Sequence, residues 1–287
     1  MKSLIYFFFS IVISIILTSS GQETSLSSKN VTLQAEGNNV SSLVLQKSAD
    51  IISERLKFSG IRSFEVKVSA DKEQLIIVLP DKTNIPDIEV LLTSRGELVF
   101  YETYSQDEIS DLLKKDNLLF KLLNRDQQQN FSDPRVGCSD IENREKTDEY
   151  LHLSRPVGNC RFFWGIESKK SEFCLFALKT NKDGSPLIVR ADVESVKIAT
   201  VKNSEEQKIQ ISLKPAVISV FADATKRNLN RSIALVIDNQ VYSCPVVRNV
   251  IEGGKIEVTG KFTSKEVSNF PALFNSGQLP VSFKILK

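Results

Sequence analysis

Few residues of this chain belong to the types that carry chemistry, and they form no catalytic or metal-binding pattern. His152 is the only histidine and lies in a polar stretch. A Ser-His-acid triad would need that histidine, but the chain lacks the Gly-x-Ser-x-Gly elbow that presents a nucleophilic serine. The cysteines lack the close Cys-x-x-Cys pairing of zinc sites, and no Gly-x-x-x-x-Gly-Lys loop surrounds Gly253-Gly254 to hold a phosphate. We therefore expect a non-enzymatic protein with no cofactor and no metal site.

The four cysteines, Cys138, Cys160, Cys174 and Cys244, are candidates for disulfide bonds. Four cysteines in an exported chain admit three full pairings, and spacing alone does not decide among them. We expect Cys138 to pair with Cys160, because that bond would tether a polar segment to the strand that begins at Cys160. In the alternative, Cys174 is a buried thiol among apolar neighbours. Cys244 is expected to be free.

Three adjacent aromatic residues, Phe162, Phe163 and Trp164, are the candidates for a polypeptide contact. On a strand, Phe163 faces the opposite side from its two neighbours. If the sheet is exposed on one side, that side offers an apolar contact for an unfolded polypeptide. The alternative is a strand buried on both faces by helices between residues 105 and 123.

Composition indicates an ordinary globular chain of 287 residues with room for two modest domains. The formal net charge of +2 gives no reason to expect a nucleic-acid partner. Residues 1–21 combine Lys2, an apolar run and a small-residue flank, a pattern typical of a secretory signal peptide. The alternative is an uncleaved N-terminal anchor, which would be the sole membrane contact. Either way we expect an exported protein, located in the periplasm or the cell envelope.

The remaining sequence is divided by its turn signals and by its apolar periodicity. Residues 22–39 are polar and predict a flexible lead-in, and a short strand around Val31–Leu33 is expected to precede the first helix. Residues 40–104 predict helix, strand, strand, helix and strand, and residues 207–287 predict strand, helix, a hairpin at Asp238-Asn239, strand, helix and strand. Between them, Ser105 and Glu108 form a capping box that opens a helix. The segment 124–149 is charge-dense and predicts a mobile surface loop, and a strand meander follows it. The neighbouring acids Asp107, Glu108 and Asp111 are expected to form a solvated helix face.

Several of these segments resemble the first periplasmic domain of SecD, the membrane partner of the bacterial Sec protein-export channel. The residues that carry the resemblance are IALVIDNQVYSCPVV, IEVTGKFTSKEVSNFPALFNSGQLP, VSFKIL, ERLKFSGI, LIIVLP and, less specifically, LIVRADVESVKIAT. The resemblance implies an α+β fold, in which a ferredoxin-like base subdomain is split into residues 40–104 and 207–287. It also implies that residues 105–206 are an inserted mixed α/β head subdomain.

The same resemblance implies a role in protein export. Outside residues 1–21 no stretch approaches the length of a membrane span, so we expect a binding surface rather than a membrane-embedded energy converter. The expected function is that of an exported SecD-like module that binds emerging polypeptide or a translocase subunit. The alternative is a stand-alone secreted protein-interaction module that keeps the SecD-like fold without an export role.

Overall fold

The computed structural model describes residues 27–37, 39–113, 117–124, 133–153, 158–165, 173–200, 207–259 and 264–286. The signal peptide predicted at residues 1–21 lies outside them. The described residues form a mixed α+β structure, which confirms the predicted class. Their strands are β1 Ser28–Glu36, β2 Glu65–Ser69, β3 Gln74–Pro80, β4 Leu98–Thr103, β5 Arg135–Ser139, β6 Cys160–Gly165, β7 Phe173–Lys179, β8 Val193–Thr200, β9 Gln207–Leu213, β10 Ile233–Ile237, β11 Gln240–Ser243, β12 Lys255–Thr259 and β13 Ser282–Ile285. Their helices are α1 Ser42–Phe58, α2 Ile85–Thr93, α3 Gln106–Leu112, α4 Asn117–Leu122, α5 Ile141–Leu153, α6 Ile218–Arg227 and α7 Ser264–Asn275.

A four-stranded antiparallel sheet joins strands from the two ends of the described chain, in the order β13-β1-β3-β2. Helix α1 connects β1 to β2, a tight turn connects β2 to β3, and α7 precedes β13. In β3 the alternate residues Leu75, Ile77 and Leu79 are buried, as the period of a strand requires. Helices α1, α2 and α7 pack against one another beside this sheet.

Strand β1 shows that residues 28–36 are not a flexible lead-in, and it extends the short strand expected around Val31–Leu33 at both ends. Its buried residues Val31, Leu33 and Ala35 alternate with polar ones, which is a strand pattern. The polar members of that alternation gave the segment its loop-like composition. Because β1 pairs on both edges, with β3 and with β13, it is an interior strand of its sheet.

A second group of strands closes into a ring. The pairing runs β4-β10-β11-β6-β7, and the last residues of β7 pair back onto the end of β4. Strand β5 pairs with the other half of the same edge of β7. Closure leaves the ring with an enclosed apolar interior, and it removes strand edges that would otherwise be unpaired. The buried interior residues are Val99, Tyr101, Phe163, Cys174, Phe176, Leu178, Ala234, Val236 and Val241.

The third sheet is three-stranded and antiparallel, in the order β12-β9-β8, with α7 packed against β8. Its buried residues join the largest core, together with α1, the four-stranded sheet and the outer face of β4 and β10. The sheets do not follow the boundaries predicted at residues 105 and 206. Strands of the predicted head, β6 and β7, share the ring with β4, β10 and β11, and β8 pairs with β9. The division came from the resemblance to SecD, whereas long-range pairing decides which sheet each strand joins.

Arg55 is a charged residue that lies within the core. The side chain of Arg55 on α1 is fully buried, and burial lowers its pKa to about 10, with the nearby charge of Asp238 opposing that shift. Its guanidinium donates to backbone carbonyl oxygens where α2 ends and just beyond α7, groups that a helix terminus leaves without partners. The acceptors are the oxygens of Leu91 at 3.0 Å, Ser94 at 2.6 Å, Arg95 at 3.0 Å and Gly277 at 3.2 Å. Arg55 therefore links three helices through one side chain.

Candidate functional site

The aromatic strand predicted as a polypeptide contact is buried on both faces. Phe163 points into the ring, where its side chain lies 5.3 Å from that of Tyr101, measured between ring centroids. Trp164 points outward beneath the helices α3, α4 and α5, and its Nε1 donates to Oδ1 of Asp148 at 2.6 Å. Phe163 and Trp164 are each 8% exposed, and Phe162 is half-buried against the same helices as Trp164. The prediction of an exposed contact face is wrong here, and the alternative of a strand covered on both sides describes this structure.

The predicted disulfide is also corrected. Cys138 of β5 bonds to Cys174 of β7, its direct partner in the strand register. Cys160 is a free, buried thiol whose pKa is raised to about 12 by burial, so its pairing with Cys138 is wrong. Cys244 is free, as expected. Strand pairing, which the spacing of the cysteines does not reveal, brought Cys138 opposite Cys174.

The other chemistry-bearing candidates remain separate. His152 is exposed in the last turn of α5. Within the described ranges, no cluster of three or more His, Cys, Asp or Glu side chains is arranged to hold a metal ion.

Glu108 is expected on a solvent-exposed helix face, but it also makes specific contacts with other elements. It completes the predicted capping box with Ser105, receives Lys179 Nζ at 2.7 Å and forms an ion pair with Arg231. Partial burial by itself would raise the pKa of Glu108. The hydrogen bonds from Lys179 and from the amide of Ser105, together with the neighbouring cations, outweigh that effect and lower the pKa to about 2. The carboxylate thus joins the start of α3 to β7 and to the segment before β10.

This arrangement predicts a pH dependence. A carboxylate whose pKa is lower in the folded than in the unfolded chain stabilises the fold above the unfolded value, and that stability is lost as the pH falls. We expect Glu108→Gln to lower the free energy of unfolding by about 1 kcal/mol at pH 7, since the group is partly exposed. The difference from wild type should shrink between pH 4.5 and about 2. Denaturant titrations at several pH values measure it, with the exposed Asp107→Asn as control. A constant difference across that range would contradict the assignment.

A groove lies between β12, helix α6 and the segment 245–251. Its cavity has a volume of about 280 Å³. The floor is apolar, formed by Phe100, Phe221, Ile233 and Leu235. One wall is the segment 245–251, which a hydrogen bond of 3.0 Å from the amide of Ile251 to Oγ1 of Thr225 fixes to α6. The opposite wall is formed by four consecutive residues of β12, from Lys255 to Val258. Because successive side chains of a strand alternate between faces, contact with four consecutive residues means that the groove meets the backbone edge of β12.

The backbone of β12 along this groove is open. The amide of Leu213 on β9 donates to the carbonyl of Gly254 at 2.8 Å, which makes these two residues a hydrogen-bonded pair. Hydrogen-bonded and non-hydrogen-bonded pairs alternate along an antiparallel ladder. Ile256 and Val258 therefore bond to β9, whereas the N–H and C=O groups of Lys255 and Glu257 point away from it. In the described chain these outward groups have no hydrogen-bond partner.

The opposite edge of the same sheet is covered at Val196. By the same alternation, the backbone of Val196 on β8 points away from β9. The side chain of Asn275 accepts from its N–H at 3.0 Å and donates to its C=O at 2.9 Å. A side chain thus occupies the outward groups of Val196, in the way that proteins commonly block sheet edges. The edge at β12 has no such cover among the described residues.

The rim of the groove carries a positive excess. Arg248 and Lys255 are exposed on opposite walls. Glu257 is the acidic residue of the lining, and it bonds to Lys208 Nζ at 2.7 Å and Gln210 Nε2 at 2.8 Å. These hydrogen bonds lower its pKa, and they leave its charge largely compensated.

The groove is not evident from the amino-acid sequence. The alternation of Ile256 and Val258 in the sequence is typical of a strand, and Gly253-Gly254 is typical of a turn before it. Which edge of that strand stays unpaired depends on the arrangement of all three sheets, for which the local sequence carries no signal.

Known proteins that are similar to this chain include members of the SecD and SecDF group. A family model described as SecDF, P1 head subdomain, matches residues 177–281, which include all of the groove except Phe100. SecD of Calditerrivibrio nitroreducens is 37% identical over 82 residues, 29% of this chain and 16% of that protein. SecD of Leptotrichia buccalis is 32% identical over 109 residues, 37% of this chain and 27% of that protein.

Solved structures of SecDF are also similar to this chain. The structure of "a membrane component SecDF that enhances protein export" matches 90% of this chain and 98% of the solved chain, with a TM-score of 0.53 and 18% identity. A SecDF structure in a "super-membrane-facing form" matches 90% of this chain with a TM-score of 0.55. The resemblance to the SecD periplasmic domain is confirmed. At this identity the solved structures show a shared fold alone, and this chain spans about a quarter or less of each of the two SecD sequences.

Two further findings concern the SecD-like organisation. The family match crosses the boundary predicted at residue 206, so the division into base and head stays a prediction. Among the helices that the described residues form, none is long and apolar enough to cross a membrane.

Proposed function

We propose that this chain is a non-enzymatic, exported SecD-like module that assists protein export by binding emerging polypeptide in the groove beside β12. The observation that carries the proposal is an apolar cavity bordered by a strand edge with unpaired backbone groups. Such a site offers every polypeptide the same backbone partners, together with an apolar floor for side chains. Export requires that kind of tolerance, because exported chains differ in sequence.

Two further parts of the proposal follow the resemblance. The protein acts in the periplasm or cell envelope, with residues 1–21 serving as its signal peptide or anchor, and its partners are unfolded polypeptide and translocase subunits. The four-stranded sheet with α1 and α7 serves as the ferredoxin-like base. Its strand order and its β-α-β-β then α-β connection support that assignment, because they are those of a ferredoxin-like layer.

A binding measurement with a permanently unfolded protein tests the proposal. The probe is a second protein, kept unfolded by reduction and carboxymethylation of its cysteines. Fluorescence anisotropy gives the dissociation constant of its complex with this chain. We expect Val247→Asp, on the wall of the groove, to weaken binding about tenfold by placing a carboxylate against the bound apolar segment. The substitution keeps the backbone bonds of Val247 with Asn230 and Arg231.

Leu43→Asp is the matched control. Leu43 is 78% exposed and does not line the groove, so the same substitution there should leave binding unchanged. Circular dichroism establishes that both variants fold. Absence of binding by the wild-type protein, or an equal loss in both variants, would refute the proposal.

Crosslinking in cells tests the export role separately. A photoreactive amino acid at Arg248 should capture proteins in transit or translocase subunits, whereas the same group at Leu43 should not. If neither proteins in transit nor translocase subunits are captured at Arg248, the export role is contradicted. The alternative would then hold, namely a secreted protein-interaction module without an export role.

A further inference from the structure

We propose that the groove takes its polypeptide by strand addition, with an extended segment bonding to β12 as a fourth strand of the β8-β9-β12 sheet. This inference rests on the proposed function and specifies how the segment is recognised. The alternative within that function is an apolar side chain held in the cavity without backbone pairing.

The backbone of β12 is prepared for such pairing. The outward N–H and C=O groups of Lys255 and Glu257 provide two donors and two acceptors. Residues two apart on a strand lie about 7 Å from each other, which is also the repeat of the backbone groups along one edge of an extended segment. A peptide in this conformation therefore satisfies all four groups at once. Peptide addition to an exposed sheet edge is a recurring mode of recognition.

The sheet determines which side chains the added strand should carry. Ile256 and Val258 face the core, while Lys255 and Glu257 face solvent. A strand added beside β12 continues both faces, so every second side chain enters the groove above Phe221 and Leu235. These positions require apolar residues, since a buried charge without a partner is costly. Proline is excluded where its nitrogen would have to donate to β12.

The rim adds a preference in charge. Arg248 and Lys255 are exposed beside the groove, and the charge of Glu257 is compensated by Lys208. An acidic residue on the solvent side of the bound segment is therefore favoured over a basic one. The substrate class is an extended segment with apolar residues at alternate positions, and with neutral or acidic residues between them.

The fold supports selection of this edge. Asn275 occupies the outward groups of Val196 on the far strand of the same sheet, and the strand ring is closed on itself. The edge of β12 lies beside an apolar cavity and carries no such cover among the described residues, so it is suited to pairing with a peptide.

Backbone methylation of a peptide tests the inference. The probe is an eight-residue peptide of alternating valine and serine, with one glutamate at a serine position. Two isomers carry N-methyl groups either on the valine amides or on the serine and glutamate amides, so their side chains are identical. A strand added antiparallel to β12 bonds through its serine and glutamate amides, whereas a strand added parallel to β12 bonds through its valine amides. We expect one isomer to bind at least tenfold more weakly than the unmodified peptide, and the other to bind as the unmodified peptide does.

Amide hydrogen exchange of the protein gives the matching readout. With the unmodified peptide bound, the amides of Lys255 and Glu257 should exchange at least tenfold more slowly, while those of Ile256 and Val258, already bonded to β9, should not change. The exposed variant Arg248→Glu should weaken binding of this glutamate-containing peptide without altering that alternation.

The outcomes separate the two proposals. Equal binding by both methylated isomers, or equal loss in both, overturns strand addition. A uniform change in exchange along β12 overturns it too. If the unmodified peptide and the unfolded protein both fail to bind, the proposed function itself fails.

Discussion

Replacing Arg55 by methionine is expected to lower the free energy of unfolding by about 3–5 kcal/mol. The guanidinium is fully buried and donates to four backbone carbonyl oxygens at the ends of α2 and α7. Methionine can fill most of the volume but donates no hydrogen bond, so those oxygens would be left in the core without their partner. Buried polar groups that lose their partners bear the full cost of desolvation.

Urea unfolding followed by circular dichroism measures this loss. Arg62→Met is the matched control, because Arg62 is exposed, and it should change stability by less than about 0.5 kcal/mol. A second substitution tests the same contact from the other side. Gly96 has a φ of +71°, and an added Cβ would lie 2.8 Å from Nη2 of Arg55, so Gly96→Ala should also destabilise the fold. Equal stability of Arg55→Met and Arg62→Met would refute the role given to Arg55.

Removing the disulfide is the second large effect that we expect. The bond between Cys138 and Cys174 closes a loop with a sequence separation of 36 residues. The loss of chain entropy in the unfolded state predicts a stabilisation of about 3–4 kcal/mol for a loop of this length. The double variant Cys138→Ser, Cys174→Ser should therefore unfold at lower denaturant concentration than wild type under oxidising conditions. It should behave as the reduced wild-type protein does.

Cys160 and Cys244 provide the controls. Cys244→Ser should retain the disulfide, and peptide mapping of the non-reduced protein should recover Cys138 linked to Cys174. Cys160→Ser separates the two pairings, because it would abolish a bond from Cys138 to Cys160 and would leave the observed one intact. Recovery of a Cys138–Cys160 peptide would contradict the structure.

Local signals in the sequence predicted many of the elements well. The Asp238-Asn239 turn has positive φ at both residues, the geometry that suits a tight hairpin and that these residue types tolerate. The capping box of Ser105 and Glu108 starts α3 as predicted. Gly277 follows the apolar helical spacing of α7, where a glycine ends a helix in a left-handed turn, and it has a φ of +98°. Each of these features depends on a few neighbouring residues, which is why the sequence alone reveals them.

Helix α5 shows where local reasoning fails. The segment 124–149 predicted a mobile loop because it is charge-dense, yet a helix begins at Ile141. That helix packs through polar side chains: Arg144 stacks on the rings of Trp164 and Phe173, and Asp148 accepts from the indole of Trp164. Apolar contacts come from Tyr150 and Leu151 near the end of the helix, so no apolar stripe runs along its length. Periodicity of apolar residues cannot detect such a helix.

The groove was unpredictable for a different reason. Its floor, its two walls and its open edge come from β4, α6, β10, β12 and the segment 245–251, which meet only in the folded chain. A strand at the edge of a sheet and a strand in its middle show the same alternation of apolar and polar residues, so this pattern does not distinguish them. The resemblance to SecD indicated the role to propose, but it did not indicate which surface would bind.

The pairing of β1 with β13 has a consequence for the kinetics of folding. Leu33 lies opposite Ile285, so the contact joins residues about 250 positions apart in the sequence. Contacts of such long range slow folding, because a large loop must close before they contribute any stability. The β2-β3 and β10-β11 hairpins can form early, whereas the four-stranded sheet is complete only when β13 has reached β1. Until then β1 presents an unpaired edge, and during that interval the protein is itself open to capture by a chaperone or by a second unfolded chain.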